Sequence, residues 1–228
     1  APGAGGRTRA DPPGEPRPRH RTLIGRPHRA HYPGAVLVID QKTYDAIVAH
    51  DLPLALFHDL LDAFRQDVVK KRYATFDELM DYCRRSANPV GRMVLTLFGI
   101  KSAQARAWSD SICTGLQLTN FWQDVGIDAK KGRIYIPQDA IAVHRLSEVD
   151  VMSGILPAQW RPLMYEQVNW AQLSLTAGVP LLKLLPGRMK WEIAFTIAGG
   201  LRILDKLRTV HYDMFSQRPT LSWRDTPA

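Results

Sequence analysis

The sequence has little of what disulfide frameworks, zinc sites and membrane spans require. It contains two cysteines, Cys83 and Cys113, both within helical patterns, and it has neither a CxxC motif nor a histidine cluster. Isolated thiols of this kind are typical of buried cysteines in a reducing compartment. No run of about 18 uncharged apolar residues is present, so we expect no spanning helix. The arginine-rich N-terminal segment lacks the apolar core of a secretory signal, and the absences together favour a cytoplasmic location.

Positive charge is concentrated at one end of the chain. The formal net charge is +8, and residues 1–35 hold seven arginines against Asp11 and Glu15, so the remaining chain carries only +3. The basic composition therefore does not by itself indicate a nucleic-acid partner, and no aromatic residues interleave with these arginines. Binding of RNA or of an anionic membrane surface through the arginines stays an alternative function.

Residues 1–35 and residues 36–228 are predicted to differ in order. The first stretch is rich in proline, glycine and arginine and has too little apolar content to offset the entropy of ordering. We therefore predict that residues 1–35 are disordered or unlike the rest of the chain. Residues 36–228 are long enough to form one domain with a single core.

Apolar residues repeat at helical spacing from Thr43 onward, and no β-alternation appears, which predicts an all-α fold. Pro53 suits the first turn of a helix that runs to about Arg72 and buries Phe64 and Val68 together with the leucines of the segment.

Further helices follow from local signals. Thr75 and Glu78 form a capping-box pattern, and the helix that they begin is expected to kink at Asn88-Pro89. The next helix is predicted to begin at Ser102 and to end near Ala129. The remaining expectations are a short helix at 138–143, a loop at 147–154, a long helix at 157–185 and two helices at 190–205 and 206–215.

One stretch, Gln117–Pro137 (QLTNFWQDVGIDAKKGRIYIP), combines an apolar helix with a basic turn. Asp124 and Asp128 are four residues apart, which places both on one helix face, roughly 6 Å apart, with Gln117 and Asn120 on the same face. Two carboxylates this close repel each other unless a cation lies between them. Mg²⁺ binds one or two carboxylates together with substrate phosphates. The pattern fits a magnesium site, although a bare DxxxD is also typical of a solvated helix face.

The neighbouring residues favour the magnesium interpretation. Lys131 and Arg133 follow the aspartates, as a diphosphate clamp would require, and apolar residues that indicate burial precede them, namely Leu116, Leu118, Phe121 and Trp122. A second pair with the same spacing, Asp77 and Asp81, lies at the start of a helix. Acids in a first turn are stabilised by the helix dipole without a ligand, so we interpret that pair as structural.

From about Val38 to Asp225 the chain resembles the squalene/phytoene synthase family, whose members join two prenyl diphosphates head to head. QLTNFWQDVGID followed by KGRIYIP resembles the family's second aspartate-rich motif, and DAFRQDVVKKRYATFDELMDYCRRSANPVG resembles its middle region. Five motifs are more similar to the hydroxysqualene synthase branch of hopanoid biosynthesis than to phytoene synthases. They are FRQD, YCRRSANPVGR, NFWQD, PGRMKWEIAFTIAGGLRIL and RPTLSWRD. The resemblance implies a single-domain isoprenoid-synthase bundle around a central cavity.

The resemblance also implies roles for particular residues. Asp124 and Asp128 would bind Mg²⁺, and Tyr82 would assist ionisation or proton movement, although a tyrosine alone is more often simply packed in a core. The positions implied to line the cavity or contact the diphosphate are Gln117, Asn120, Arg133, Lys131 and Tyr135. The family's first aspartate-rich motif is not found before Val38, from which we expect an altered or truncated N-terminus that lacks the first helices and half of the metal site.

Several functions stay open at this point. The hydroxysqualene branch implies conversion of presqualene diphosphate and water to hydroxysqualene and diphosphate. One alternative is squalene- or phytoene-type condensation of farnesyl or geranylgeranyl diphosphate, against which Gln123 counts, because condensing relatives usually carry arginine there. Another is an inactive relative that binds prenyl diphosphate or pairs with a sister synthase. The resemblance implies no nucleic-acid partner, and it allows peripheral association with the inner membrane.

Overall fold

The computed structural model describes residues 41–225, and no strand occurs among them, which confirms the all-α expectation. The chain divides into two units, residues 1–44 and 45–228. The prediction for residues 1–35 lies outside the described residues. The helices are α1 (Gln41–Ala49), α2 (Leu54–Val69), α3 (Phe76–Ser86), α4 (Asn88–Leu97), α5 (Ala103–Gln123), α6 (Val125–Lys130), α7 (Gln138–Val143), α8 (Glu148–Ser153), α9 (Trp160–Gly178) and α10 (Gly187–Thr209). Short 3₁₀ turns follow at Val179–Lys183 and Trp223–Asp225.

Helices α5 and α9 cross at close range in the core. A Cβ atom at Gly115 would lie 2.8 Å from the backbone nitrogen of Leu175, and one at Gly178 would lie 2.6 Å from the carbonyl oxygen of Trp108. Side-chain-bearing residues do not tolerate such distances, so glycine at these two positions lets the helix backbones touch. Large side chains with almost no exposed surface fill the core around this crossing, among them Trp122, Leu118, Trp160, Leu163, Met164, Leu175, Leu204 and Leu207.

The start of α3 confirms half of the predicted capping box. The hydroxyl oxygen of Thr75 accepts a hydrogen bond from the backbone N–H of Glu78 at 3.2 Å. The carboxylate of Glu78, however, accepts from the backbone N–H of Ala74 at 2.6 Å and pairs with Lys70, rather than accepting from the N–H of Thr75. The hydrogen bond from Lys70 is the main reason why the pKa of Glu78 is lowered.

Two of the predicted long helices are interrupted. The helix expected to kink at Asn88-Pro89 breaks at Ala87, and α4 begins with the proline in its first turn, where a missing N–H costs nothing. Helix α5 ends at Gln123 rather than near Ala129, because Asp124 adopts φ −102° and ψ 9°, and the short helix α6 follows.

Two predictions for the second half of the chain are wrong. Residues 148–153 form a helix rather than a loop, because Ser147 and Asp150 form a reciprocal capping box that satisfies its first N–H groups. The two helices expected at 190–205 and 206–215 are the single helix α10, which ends at Thr209.

Helix α2 presents a different face to the core from the one predicted. Leu56 and Ala63 are buried, whereas Phe64 is 58% exposed and Val68 is 73% exposed. Successive residues of a helix are rotated by about 100°, so the buried face that contains Ala63 also contains the residue four positions later, Asp67. The predicted burial of Phe64 and Val68 is therefore wrong, and a carboxylate lies on the inward face instead.

The absences noted in the sequence have structural counterparts. No helix within residues 41–225 combines the length and the apolar composition needed to cross a membrane. Cys83 is buried and Cys113 is half-buried, and both are free thiols. Burial raises the pKa of Cys83 to about 12 and that of Cys113 to about 11, so both thiols are protonated at neutral pH.

Candidate active site

The predicted aspartate pair keeps its register across the break between α5 and α6. The backbone N–H of Asp128 donates to the carbonyl oxygen of Asp124 at 2.8 Å, and the carbonyl of Asp128 accepts from the N–H of Arg133 at 2.8 Å. Between the two aspartates, a Cβ atom at Gly126 would lie 2.7 Å from the carbonyl oxygen of Met214. Helix α6 therefore packs directly against the backbone of the C-terminal segment, and this contact fixes the positions of both aspartates.

Asp128 is a carboxylate with few partners. Its side chain is only 14% exposed, and among the described residues its nearest cation is the Nζ atom of Lys131 at 3.9 Å, with no hydrogen-bond donor in reach. Burial is the main cause of its raised pKa; the negative charge of Asp124 adds to the rise, and the charges of Lys131 and Arg133 oppose it. An enclosed carboxylate in this situation is stabilised by any cation that binds beside it.

Arg133 returns toward Asp128 because Gly132 turns the chain with φ +71°. Its guanidinium donates to the backbone oxygen of Asp67 at 2.8 Å, which ties the turn to α2. A cavity of about 10 Å³, room for about one water molecule, is lined by Asp128, Arg133 and Tyr135 among other residues. Lys131, by contrast, is 62% exposed at its side chain.

Tyr82 forms a hydrogen-bonded pair with Asp67. Its hydroxyl donates to the two carboxylate oxygens of Asp67 at 2.8 and 2.7 Å. Burial first, and then the adjacent carboxylate, raises the pKa of Tyr82, so the phenol keeps its proton. Tyr135 stacks on Phe121 with ring centroids 3.9 Å apart, and its ring lies 6.1 Å from that of Tyr82. This aromatic cluster links Tyr82 to the Asp128 side of the site.

Asp67 is the residue that the sequence reasoning missed. Its charge acts on Asp128, Tyr82 and Tyr135, raising the pKa of each, although it is a smaller cause than burial in every case. Asp67 lies four residues after the buried Ala63, on the inward face of α2, and no sequence pattern indicated that this face points inward.

The two predicted amides differ in their surroundings. The Nδ2 atom of Asn120 donates to Asp124 at 3.2 Å, so it braces the first carboxylate of the motif. Gln117 is half-buried, and its side chain makes no hydrogen bond to another described residue. The other oxygen of Asp124 accepts from Arg218 at 2.5 Å, a contact across 94 residues of sequence that local patterns do not reveal.

The second DxxxD pair has the surroundings of a structural feature. Asp77 is exposed in the first turn of α3. Asp81 accepts hydrogen bonds from Arg84 and Arg85, which lower its pKa although burial acts in the opposite direction. Both acids are thus accounted for within α3 and its first turn, as the structural interpretation expects.

Asp124 and Asp128 would supply two carboxylates to a hard divalent cation, and water or a ligand's phosphate oxygens would complete its coordination. No group of three or more histidine, cysteine, aspartate or glutamate side chains within residues 41–225 is arranged to hold a metal by itself. Among the described residues, Asp128 has no hydrogen-bond donor, and its nearest cation is Lys131 at 3.9 Å. One or two carboxylates completed by phosphate oxygens is the arrangement in which proteins commonly bind Mg²⁺.

A larger cleft of about 400 Å³ lies elsewhere, between the start of α9 and the end of α10. It shares no residue with the aspartate site, and Arg161 and His211 are among its lining residues. The chemistry-bearing residues therefore line the smaller of these two cavities.

Comparison with known proteins shows similarity over most of the chain. The squalene/phytoene synthase family model matches residues 34–225. The 15-cis-phytoene synthase of Synechococcus elongatus is 31% identical over 198 residues, which cover 81% of this chain and 64% of that protein. Phytoene synthase 1 of Zea mays is 32% identical over 187 residues, 79% of this chain and 46% of the relative. The chain thus spans less than two thirds of the length of these relatives.

A solved structure is also similar. The squalene synthase HpnC from Alicyclobacillus acidocaldarius superposes with a TM-score of 0.71 and 34% identity, over 73% of this chain and 63% of that one. The helical fold of this chain therefore occurs in a protein of related sequence.

Proposed function

Because this chain belongs to the squalene/phytoene synthase family, we propose that it processes a prenyl diphosphate. The specific reaction that we propose is conversion of presqualene diphosphate and water to hydroxysqualene and diphosphate. One observation carries the proposal: the enclosed carboxylate of Asp128, which has no hydrogen-bond donor among residues 41–225, lines the same small cavity as Arg133. An enclosed carboxylate beside a guanidinium suits the binding of a cation together with a diphosphate.

We propose Mg²⁺ as the cofactor, with Asp124 and Asp128 as its protein ligands. When bound, the ion would neutralise the negative charge that develops on the leaving diphosphate. Arg133 is anchored to the backbone of Asp67 through one guanidinium nitrogen, so its remaining N–H groups are held in place to donate to diphosphate oxygens. Lys131 is exposed and would add a mobile positive charge.

Tyr82 and Asp67 are proposed to handle the proton of the attacking water. Because Tyr82 donates its proton to Asp67, the lone pairs of its hydroxyl oxygen can accept a hydrogen bond from water. A water oriented in this way can attack a carbocation, and its proton can pass through the phenol to the carboxylate. Asn120 and Gln117 are proposed to line the prenyl-binding side, with Tyr135 packed against Phe121 behind them.

A second reaction has specific support. The two phytoene synthases compared above are 31% and 32% identical to this chain, which favours head-to-head condensation of two geranylgeranyl diphosphates. The similarity to the squalene synthase HpnC at 34% identity, together with Gln123, supports the hydroxysqualene branch. Peripheral membrane association and pairing with a sister synthase stay part of the proposal.

Product analysis tests the function. The protein is incubated with Mg²⁺ and, in separate reactions, presqualene, farnesyl or geranylgeranyl diphosphate, and the lipid extract is analysed by mass spectrometry. Hydroxysqualene from presqualene diphosphate is the expected product. Phytoene from geranylgeranyl diphosphate would establish the second reaction instead, and unchanged substrates in all three reactions would indicate a relative that binds without turnover.

Matched variants test the site. Asp128→Asn removes the proposed ligand charge and should lower turnover by about a hundredfold or more, the usual effect of deleting one transition-state electrostatic contact. Asp77→Asn changes an exposed aspartate of the same DxxxD spacing and should leave turnover within about twofold of wild type. Equal activity of the Asp128 variant and wild type would remove Asp128 from the mechanism.

A further inference from the structure

The C-terminal segment, residues 213–225, which we call the strap, lies across the junction of α5 and α6. The carbonyl oxygen of Met214 lies so close to Gly126 that a Cβ atom there would be 2.7 Å away. At the far end, the carboxylate of Asp225 accepts hydrogen bonds from Arg202 at 2.8 Å and from Lys206 at 2.5 Å. The strap is therefore held at both ends, and its middle reaches Asp124.

The middle of the strap is attached at three consecutive residues, Arg218, Pro219 and Thr220, and Lys206 donates to the carbonyl oxygen of Thr220 at 2.7 Å. The guanidinium of Arg218 donates to Oδ1 of Asp124, and the side-chain amide of Gln123 donates to the carbonyl oxygen of Pro219, both at 2.5 Å. Gln123 and Asp124 are adjacent in the chain, so the last residue of α5 and the residue after it bind two adjacent residues of the strap. The amide of Gln123 carries no charge, and its contact fixes the register of the strap without repelling Arg218.

These contacts place one hydrogen-bond donor on each carboxylate oxygen of Asp124. Oδ1 accepts from Arg218, and Oδ2 accepts from Asn120 at 3.2 Å. Asp128, four residues later, has no such donor among residues 41–225. A divalent cation held by both aspartates would therefore share Asp124 with the guanidinium or displace it. Charge repulsion between the cation and Arg218 favours displacement.

We propose that Gln123 and Arg218 latch the strap over Asp124, so that a divalent cation and the guanidinium compete for one carboxylate. The latch rests on the proposed function, because it assumes that Asp124 is a metal ligand. Gln123 acts as a positioning residue: it touches neither the cation nor the substrate but holds Arg218 in register. Cation binding then opens the middle of the strap while Asp225 keeps its end attached.

Two measurements on the full chain, neither of which depends on turnover, test the latch. Hydrogen–deuterium exchange of peptides that cover residues 213–225 reports whether the strap is held. Titration with Mn²⁺ alone, followed by the EPR signal of the free ion, reports cation affinity. The variants are Gln123→Ala and Arg218→Gln, and the matched control is Gln217→Ala, an exposed glutamine of the same strap.

Gln123→Ala should raise exchange in the strap, whereas Gln217→Ala should leave it unchanged. Arg218→Gln should tighten Mn²⁺ binding about two- to fivefold, the effect of removing a partly exposed competing ion pair. Addition of Mn²⁺ to wild type should raise exchange in the strap in the same way as Gln123→Ala does.

Unchanged or weaker Mn²⁺ binding by Arg218→Gln, in a protein whose wild type binds Mn²⁺ and forms product, overturns the latch and leaves the proposed function intact. Absence of Mn²⁺ binding in wild type and in all variants, together with absence of product, refutes the proposed function and the latch with it. Mn²⁺ binding by Arg218→Gln but not by wild type supports the latch in its strongest form.

Discussion

The hydrogen bond between Tyr82 and Asp67 should make a measurable contribution to the free energy of unfolding. Tyr82 is 3% exposed, and its hydroxyl donates to the carboxylate of Asp67 at 2.7 Å. A hydrogen bond to a charged group contributes about 1.5–3 kcal/mol, and water can partly replace the phenol at a half-buried carboxylate. We therefore expect Tyr82→Phe to destabilise the protein by about 1.5 kcal/mol. Asp67→Asn, which keeps an acceptor but loses the charge, should cost about 1 kcal/mol.

A double-mutant cycle separates this contact from the other effects of each substitution. Urea unfolding of wild type, Tyr82→Phe, Asp67→Asn and the double variant should give a loss for the double variant that is about 1 kcal/mol smaller than the sum of the single losses. Tyr165→Phe on α9 is the matched control, because Tyr165 is 55% exposed and its hydroxyl bonds no described residue. Its substitution should change the stability by less than about 0.5 kcal/mol.

The outcome that refutes this reasoning is additivity. If the losses of the two single variants add to within about 0.3 kcal/mol, the two side chains do not interact in solution. The dependence on pH provides a second check. The pKa of Tyr82 is raised above the ordinary value of 10.0 by burial and by Asp67. The associated stability is therefore fully present below pH 10.0 and is lost as the pH rises above it.

Three further predictions concern the core, the thiols and the strap. Gly115→Ala places a Cβ 2.8 Å from the backbone of Leu175, so unfolding in urea should show a loss of about 1–3 kcal/mol; a neutral result would mean that α5 and α9 are farther apart. Burial raises the pKa of Cys83 to about 12 and that of Cys113 to about 11. Both thiols should therefore resist iodoacetamide at pH 8 until urea unfolds the protein. Rapid labelling of the native protein would contradict their burial. Hydrogen bonds from Lys206 and Arg202 lower the pKa of Asp225. Asp225 should therefore hold the strap fully above pH 3.8, the ordinary pKa of an aspartate, and less firmly below it. Hydrogen–deuterium exchange of the strap that does not rise on acidification would contradict this.

The helical class and the aspartate motif could be predicted because both depend on short-range periodicity. The four-residue spacing of Asp124 and Asp128 survives the helix break, since the hydrogen bond between their backbones survives. Helix ends were predicted less well. The capping box at Ser147 is a local signal that was available in the sequence and was not used, and it turns an expected loop into α8.

The face of α2 was a harder problem. Phe64 and Val68 have the spacing of an apolar stripe, and only the packing of α2 decides that Ala63 and Asp67 face inward instead. A polar residue on an inward face is recognised only after its partner is known, and the partner here, Tyr82, lies on another helix.

By itself, then, the sequence determined the all-α class, the residues of the aspartate pair and the basic turn that follows them, because spacings of three or four residues fix which side chains share a helix face. The tertiary structure decided which distant groups complete the site. Asp67 meets Tyr82 across 15 residues, and Arg218 meets Asp124 across 94. Contacts at such separations depend on how helices pack and on where the strap is held, and no local spacing encodes them.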